Sequence, residues 1–335
     1  MSAAATHRAH RARRRESGPG PRAQRGIALL VAVLLVALGT MIAAAIAYEN
    51  AMTARRGMAT FSFDEALMVQ QGAEALAAYG LREVRRSDQQ YTYANQGWAK
   101  PYGPLEVVPG VMLEASLEDM QGRFNLNMLV QQDGTPDKVE VAAFQQLLAL
   151  VGLEPKWAYF VVDWISRGIQ PSVPDGAKDS VYMGQSPPYR TPNRYITSTS
   201  ELLALPGFGP DRYKVLAPYV AALPYGTTVN TCTASGVVLD AFLGHTEFST
   251  GDTLAQNRQS APGCFPKLAD YRAAFGSNPQ LWAGVSQKVG NSSKYFRLSS
   301  LITIGSVEFN LYSLLYQDGQ NAGSVRPILR SYTQD

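Results

Sequence analysis

The feature that most constrains this chain is a long run without charge. From Ile27 to Ala47 no side chain is ionisable, and only Thr40 is polar. As a helix this stretch spans roughly 31 Å, about the thickness of a bilayer's hydrocarbon core. Ahead of it stand Arg8, Arg11, Arg13, Arg14, Arg15, Arg22 and Arg25, with Glu16 as the one acid. Basic residues beside a membrane span stay in the cytoplasm. The reading is a single pass with a cytoplasmic N-terminus and nearly everything after Tyr48 on the far side. An ordinary signal anchor meets the same description. The arginine head also accounts for the net charge of +3, because seven arginines against one glutamate leave −3 for the remainder. The basic balance is therefore no sign of a nucleic-acid partner.

The way the charge stops is more specific. A secretory signal peptide has a shorter apolar core, with a small-x-small cleavage site on its far side. Here the credible cut lies before the run, between Gly26 and Ile27, and would leave the apolar helix as the new N-terminus. Gly26-Ile27-Ala28-Leu29-Leu30-Val31 resembles the type IV prepilin leader, which prepilin peptidase cuts on the cytoplasmic face. That family usually carries Glu as the fifth residue after the cut, and here the position is Val31. Within the resemblance, a missing Glu is the habit of the K minor pseudopilins of type II secretion. A mid-bilayer acid is costly unless paired, and the resemblance implies pairing with the amine of the subunit above. A subunit without the acid suits a tip.

The chain beyond Tyr48 stays helical in character to about Arg86, without proline, with Val69, Ala73, Leu76, Gly80 and Val84 on one stripe. Leu105–Val108, Val111–Glu118, Leu298–Ile304, Val307–Tyr316 and Val325–Leu329 read as strands, with turns at Gly305-Ser306 and Asp318-Gly319. Between the two groups of strands lie helical patterns: Phe144, Leu147, Leu148 and Val151, then Ala158–Ile165, Ser200–Leu205 and Asp211–Val220. Thr227–Ala234 reads as extended, entering a helix at Val237–Phe242. Glu118-Asp119-Met120-Gln121-Gly122-Arg123-Phe124-Asn125-Leu126-Asn127 resembles the K pseudopilin signature that leads into its helical part. In that stretch, Asn side chains are expected to satisfy backbone groups while Phe124 and Leu126 anchor the reversal.

The fold implied is α+β: a long N-terminal transmembrane, pilin-like helix on a small antiparallel sheet, with an inserted all-α domain of helix-hairpin-helix or SAM-like type. The borders expected are 1–26 for the leader and 27–47 for the membrane segment. The discontinuous pseudopilin-like domain takes 48–124 and 223–335, and the insertion 125–222. Periodicity alone also allows three consecutive modules.

Chemistry is sparse. Outside the leader the chain has one histidine, His245, and it has no Gly-x-Ser-x-Gly, P-loop or dinucleotide fingerprint, so no enzyme is expected. Cys232 and Cys264 both fall on the exported side, where an oxidising compartment favours a bridge; two buried thiols are the alternative. The resemblance also implies calcium, a hard cation held by several oxygens. Asp163 and Asp179 are the candidate ligands, in segments similar to the family's Asp-Trp-Ile-Asp and Gly-Ala-Glu-Asp. Ser166, Gly168 and Lys178 stand where the family tends to have acids. The later loop with Glu247, Asp252 and Asp270 is the other place for such an ion. The partners implied are the I and J minor pseudopilins, prepilin peptidase, and the pseudopilus with its inner-membrane platform. The chain would sit in the inner membrane with its bulk in the periplasm, at the filament tip, supporting export of folded proteins. The alternative is a membrane-anchored periplasmic DNA receptor using the hairpin at Gly207–Gly209, although Arg194, Arg212 and Lys214 against Glu201 and Asp211 leave only +1 there.

Overall fold

The computed structural model describes residues 22–168, 170–172, 175–260, 263–276, 278–318 and 323–332. Leader residues 1–21 and the expected turn glycine Gly319 lie outside them. The chain divides into two units, Met1–Phe63 and Asp64–Asp335.

Helix α1 runs over Arg22–Ser87. No proline interrupts it, and Arg85 and Arg86 complement the dipole of its last turn. From Ile27 to Ala47 every side chain of α1 is exposed. Among the described residues it is the one helix long and apolar enough to cross a membrane. The helix ends where the Asp88 carboxylate accepts from the Gln90 and Tyr91 N–H groups, both at 3.0 Å.

In the second unit, β1 (Tyr102–Val108) and β2 (Val111–Asp119) form a hairpin through Pro109-Gly110. After β2 the chain passes through short β3 (Phe124–Asn125), α2 (Lys138–Leu150), α3 (Trp157–Ile165), α4 (Asp179–Tyr182) and α5 (Gly209–Leu216). It continues with β4 (Val220–Ala221), β5 (Val229–Asn230), α6 (Gly236–Leu243), α7 (Thr253–Ser260), α8 (Leu268–Ala274), α9 (Pro279–Val285) and β6 (Val289–Gly290). Three strands close the chain: β7 (Tyr295–Ile304), β8 (Val307–Gln317) and β9 (Val325–Ser331). The five long strands make one antiparallel sheet in the order β1-β2-β7-β8-β9, so the two flanks of the helical stretch build it together.

The sheet is covered by Ala66, Ala73, Ala77 and Leu81 of α1, which pack with Leu113, Phe296, Leu298, Ile302 and Leu315. Of the stripe expected from the sequence, Ala73 is buried and Val69 and Val84 pack against this core, whereas Leu76 is exposed and the buried face also includes Gln70 and Glu74. The reason is polar. Gln70 Nε2 donates to Ser313 Oγ at 2.9 Å, and Ser313 Oγ donates to Glu74 at 2.6 Å. Arg330 of β9 donates twice to the Glu74 carboxylate, at 2.7 Å each. Hydrophobic periodicity cannot see a buried face built partly from an amide and a carboxylate.

A second core gathers Phe124, Leu126, Phe144, Leu147, Leu148, Val161, Phe208 and Leu216. Val238, Leu239, Tyr271, Val285 and Val289 belong to it as well, so it continues well past residue 222. Ser200–Leu205 is a 3-10 segment, Thr199–Ala204, and α5 stops before Val220, which pairs instead with Phe124. Pro218 lacks the N–H that would continue the helix.

Candidate functional site

The residues after β2 fold as the polar signature requires. Asn125 accepts from the N–H groups of Leu223 at 3.0 Å and Asn127 at 3.1 Å, and donates to Pro224 O at 3.1 Å. Asn127 donates to Ile196 O and Leu223 O, both at 2.8 Å, and accepts from Ile196 N at 2.7 Å. Two asparagine side chains thus replace the missing ladder between β3 and the loops beside it, satisfying buried backbone groups. Phe124 lies between Phe144 and Phe242, with ring centroids 5.3 and 5.7 Å away.

Beside this reversal sits Asp119, buried at the end of β2. It accepts from Gln121 N at 2.9 Å, Ser293 Oγ at 2.6 Å, Thr233 Oγ1 at 2.5 Å and Asn230 Nδ2 at 3.0 Å. Burial pushes its carboxyl above the usual range, and these four donors work against that shift. The contacts tie β2, β5 and the segment before β7 into one joint. Sequence reasoning named Asp119 only as part of a motif; its role depends on Asn230 and Ser293, far away in the chain. Glu118 faces the other way and bridges Arg123 and Arg297, each at 2.5 Å.

Cys232 and Cys264 form a disulfide in the structure, with Cα atoms 4.7 Å apart. A closed loop of this length is worth about 3.5 kcal/mol in the chain-entropy account. Arg258 pins both ends of it, donating to Phe265 O, Thr231 O and Ala234 O at 2.9, 3.0 and 2.7 Å.

Gly26, Ile27 and Val31 lie on α1, with Val31 exposed. Met68, Leu76 and Tyr79 are exposed further along the same helix. At the hairpin Gly207–Gly209 the Phe208 side chain is buried while Gly207 is exposed. Arg212 donates to Gly207 O at 3.1 Å and Phe208 O at 3.0 Å, and its guanidinium lies 5.5 Å from the Trp157 ring centre. One nitrogen of Arg212 thus serves the carbonyls of its own turn.

Asp163 and Asp179 each have a hydrogen-bonding partner of their own. Both oxygens of Asp163 are taken by Ser172, from the hydroxyl at 2.6 Å and the N–H at 2.9 Å. Asp179 accepts from the Thr191 hydroxyl at 2.9 Å and N–H at 3.1 Å. In the later loop, Asp270 caps its own helix through Lys267 N and Glu247 lies 3.5 Å from His245. Among the described residues no three acidic, histidine or cysteine side chains gather around a point. The residues as placed do not fit the calcium that the resemblance implies, since that ion takes six to eight oxygens.

Comparison with known proteins covers most of the chain. The family model described as "Type II secretion system (T2SS), protein K" matches residues 122–225. The type II secretion system protein K of Pseudomonas aeruginosa is 31% identical over 325 residues, covering 93% of this chain and 94% of that protein. This chain belongs to the type II secretion system protein K family. The Klebsiella pneumoniae member is 32% identical over 318 residues, covering 90% of this chain and 95% of its own length. The fold resembles a chain in the crystal structure of the GspK-GspI-GspJ complex from enterotoxigenic Escherichia coli, with a TM-score of 0.73 at 20% identity. That match covers 84% of this chain and 100% of the other. As a member of the K family the chain is a minor pseudopilin of the type II secretion system, and its α+β architecture follows the solved fold.

Proposed function

We propose that this chain stands at the tip of the type II secretion pseudopilus, which it initiates and caps together with the I and J minor pseudopilins. Prepilin peptidase removes the arginine leader between Gly26 and Ile27, and the new N-terminal amine is methylated. The segment Ile27–Ala47 holds the chain in the inner membrane with its N-terminus in the cytoplasm, and the bulk lies in the periplasm. The sheet-bearing pseudopilin part is discontinuous, and the helical stretch between β2 and β7 is the bulky insertion that blocks a further subunit above. The role is structural, with no catalysis.

The observation that carries this reading is kinship to the K family over 93% of a chain whose fifth residue after Gly26 is Val31. The exposed apolar positions Met68, Leu76 and Tyr79 of α1 support helix packing against neighbouring subunits. Nothing favours the DNA-receptor reading, with Arg212 closed over its own turn. The test is mass spectrometry of the N-terminus from cells with and without prepilin peptidase. The mature chain should begin at methylated Ile27 only where the peptidase is present. Co-purification of the full-length chain with its I and J counterparts should follow, and a mature protein that keeps residues 1–26 ends the proposal.

A further inference from the structure

Between α3 and α4 the chain buries a lysine. Lys178 is 4% exposed, and its ammonium lies among oxygens alone. It donates to the backbone carbonyls of Asp163 and Ser166, the latter at 2.7 Å, to Ser166 Oγ at 3.1 Å and to Asn193 Oδ1 at 3.2 Å. Two carbonyls, a hydroxyl and an amide oxygen are the donor set of a hard-cation site. Here three protons on a chain-borne nitrogen meet that set at hydrogen-bond lengths. Asn193 has a φ of +51°, a left-handed conformation that asparagine tolerates better than most residues, and this places its side chain at the cage.

The surroundings are built around that nitrogen. The Asp163 carboxylate is turned to Ser172, so that its backbone oxygen, rather than its charge, faces the ammonium. Gly176 completes the fit: a Cβ there would stand 2.1 Å from Asp163 Oδ2 and 2.4 Å from Ser172 N. The Asp179 carboxylate turns to Thr191. A divalent ion entering the cage would compete for oxygens already used and meet a like charge at contact distance, with little water to screen it.

We infer that Lys178 is a built-in substitute for a metal ion: its ammonium holds the carbonyls of Asp163 and Ser166 and the Asn193 side chain together, and this cage takes no calcium. The disagreement with the family resemblance is then a feature of this chain, in which Lys178 stands where the resemblance implies an acid and the cation is covalent. The region would keep its shape in chelator, and the charge that shapes it could not be lost by dilution.

The test is hydrogen–deuterium exchange on the full-length chain in detergent micelles, in millimolar calcium and in chelator. For wild type, peptides carrying Ser172 and Thr191 should exchange at the same rate in both conditions. In Lys178→Met, which keeps the apolar stem and removes the charge, those peptides should exchange about tenfold faster or more, while peptides from β7 and β8 stay unchanged. Slower wild-type exchange in calcium at Ser172 or Thr191 would mean that the region binds the ion, and would overturn the inference. Wild-type rates in Lys178→Met would overturn it too, because the ammonium would then hold nothing. If Lys178→Met fails to fold, shown by exchange throughout β7 and β8, the wild-type comparison still decides whether calcium enters.

Discussion

The sheet and the helical stretch solve the same packing problem by opposite means. Where α1 covers the sheet, three of the four α1 core residues are alanines, Ala66, Ala73 and Ala77, so the helix backbone comes close and the side chains carry little shape. Position along the sheet is set by a polar seam, Gln70 and Glu74 against Ser313 and Arg330. In the helical stretch α2, at 13 residues, is the longest helix, too short to be stable alone. There the anchors are large rings, such as Phe124, Phe144, Phe208, Tyr182 and Tyr271, all fully buried. Loops are closed by side chains that bond to backbone: Asn125, Asn127, Lys178 and Arg258. Long regular elements need polar pairs to fix register; short irregular ones need side chains to stand in for missing backbone partners.

That contrast can be broken first at Phe124. Phe124→Ala removes the ring held between Phe144 and Phe242 and should cost about 4 kcal/mol, measured by denaturant titration in micelles. Asn127→Ala leaves Ile196 N, Ile196 O and Leu223 O without their partner and should cost about 3 kcal/mol. A loss below about 1 kcal/mol would mean that water replaces the asparagine. On the other side of the comparison, Glu74→Ala should cost about 2 kcal/mol, because the Arg330 half of the pair is solvent-exposed. Burial raises the Glu74 carboxyl, but hydrogen bonds from Arg330 and Ser313 and the Arg330 charge outweigh it and hold it below its usual range. The stabilisation is therefore full above the unfolded-state value of 4.5 and fades as pH falls below it. A gap between wild type and variant that stays constant down through acid pH would remove the ion pair from the account.

These two styles differ in how far they could be read in advance. The five sheet strands were legible to within three residues at each end, since alternation and the turn at Gly305 are local signals. The Asn-Leu-Asn reversal was legible for the same reason. Helices α7, α8 and α9 were not read: they are seven or eight residues long, and only Leu254, Tyr271 and Val285 are buried in them. The α1 face was read without Gln70 and Glu74, which look like surface residues until Ser313 and Arg330 arrive from 239 to 256 residues away. Lys178 could be read only as a lost acid. What it replaces becomes visible once the fold brings Ser166 and Asn193 to it.

Glu140 is where the helical stretch departs from its own rule. It lies on α2, 2% exposed, near Lys288, which also pairs with Asp137. Burial pushes its carboxyl up to about 8, with the Lys288 charge working against the shift and Asp137 adding to it. An acid with a raised folded-state value favours folding while it holds its proton. Unfolding releases that proton between the unfolded value of 4.5 and about 8, so stability falls as pH rises across this window. Glu140→Gln removes the titration and leaves Lys288 to Asp137. The variant should match wild type near pH 5 and exceed it by roughly 1 kcal/mol at pH 8, a change opposite in sign to the other three. Denaturant midpoints at the two pH values check it. Equal gaps at both would show that Lys288 already neutralises Glu140, and that this carboxylate is a paired acid like Glu74 on α1.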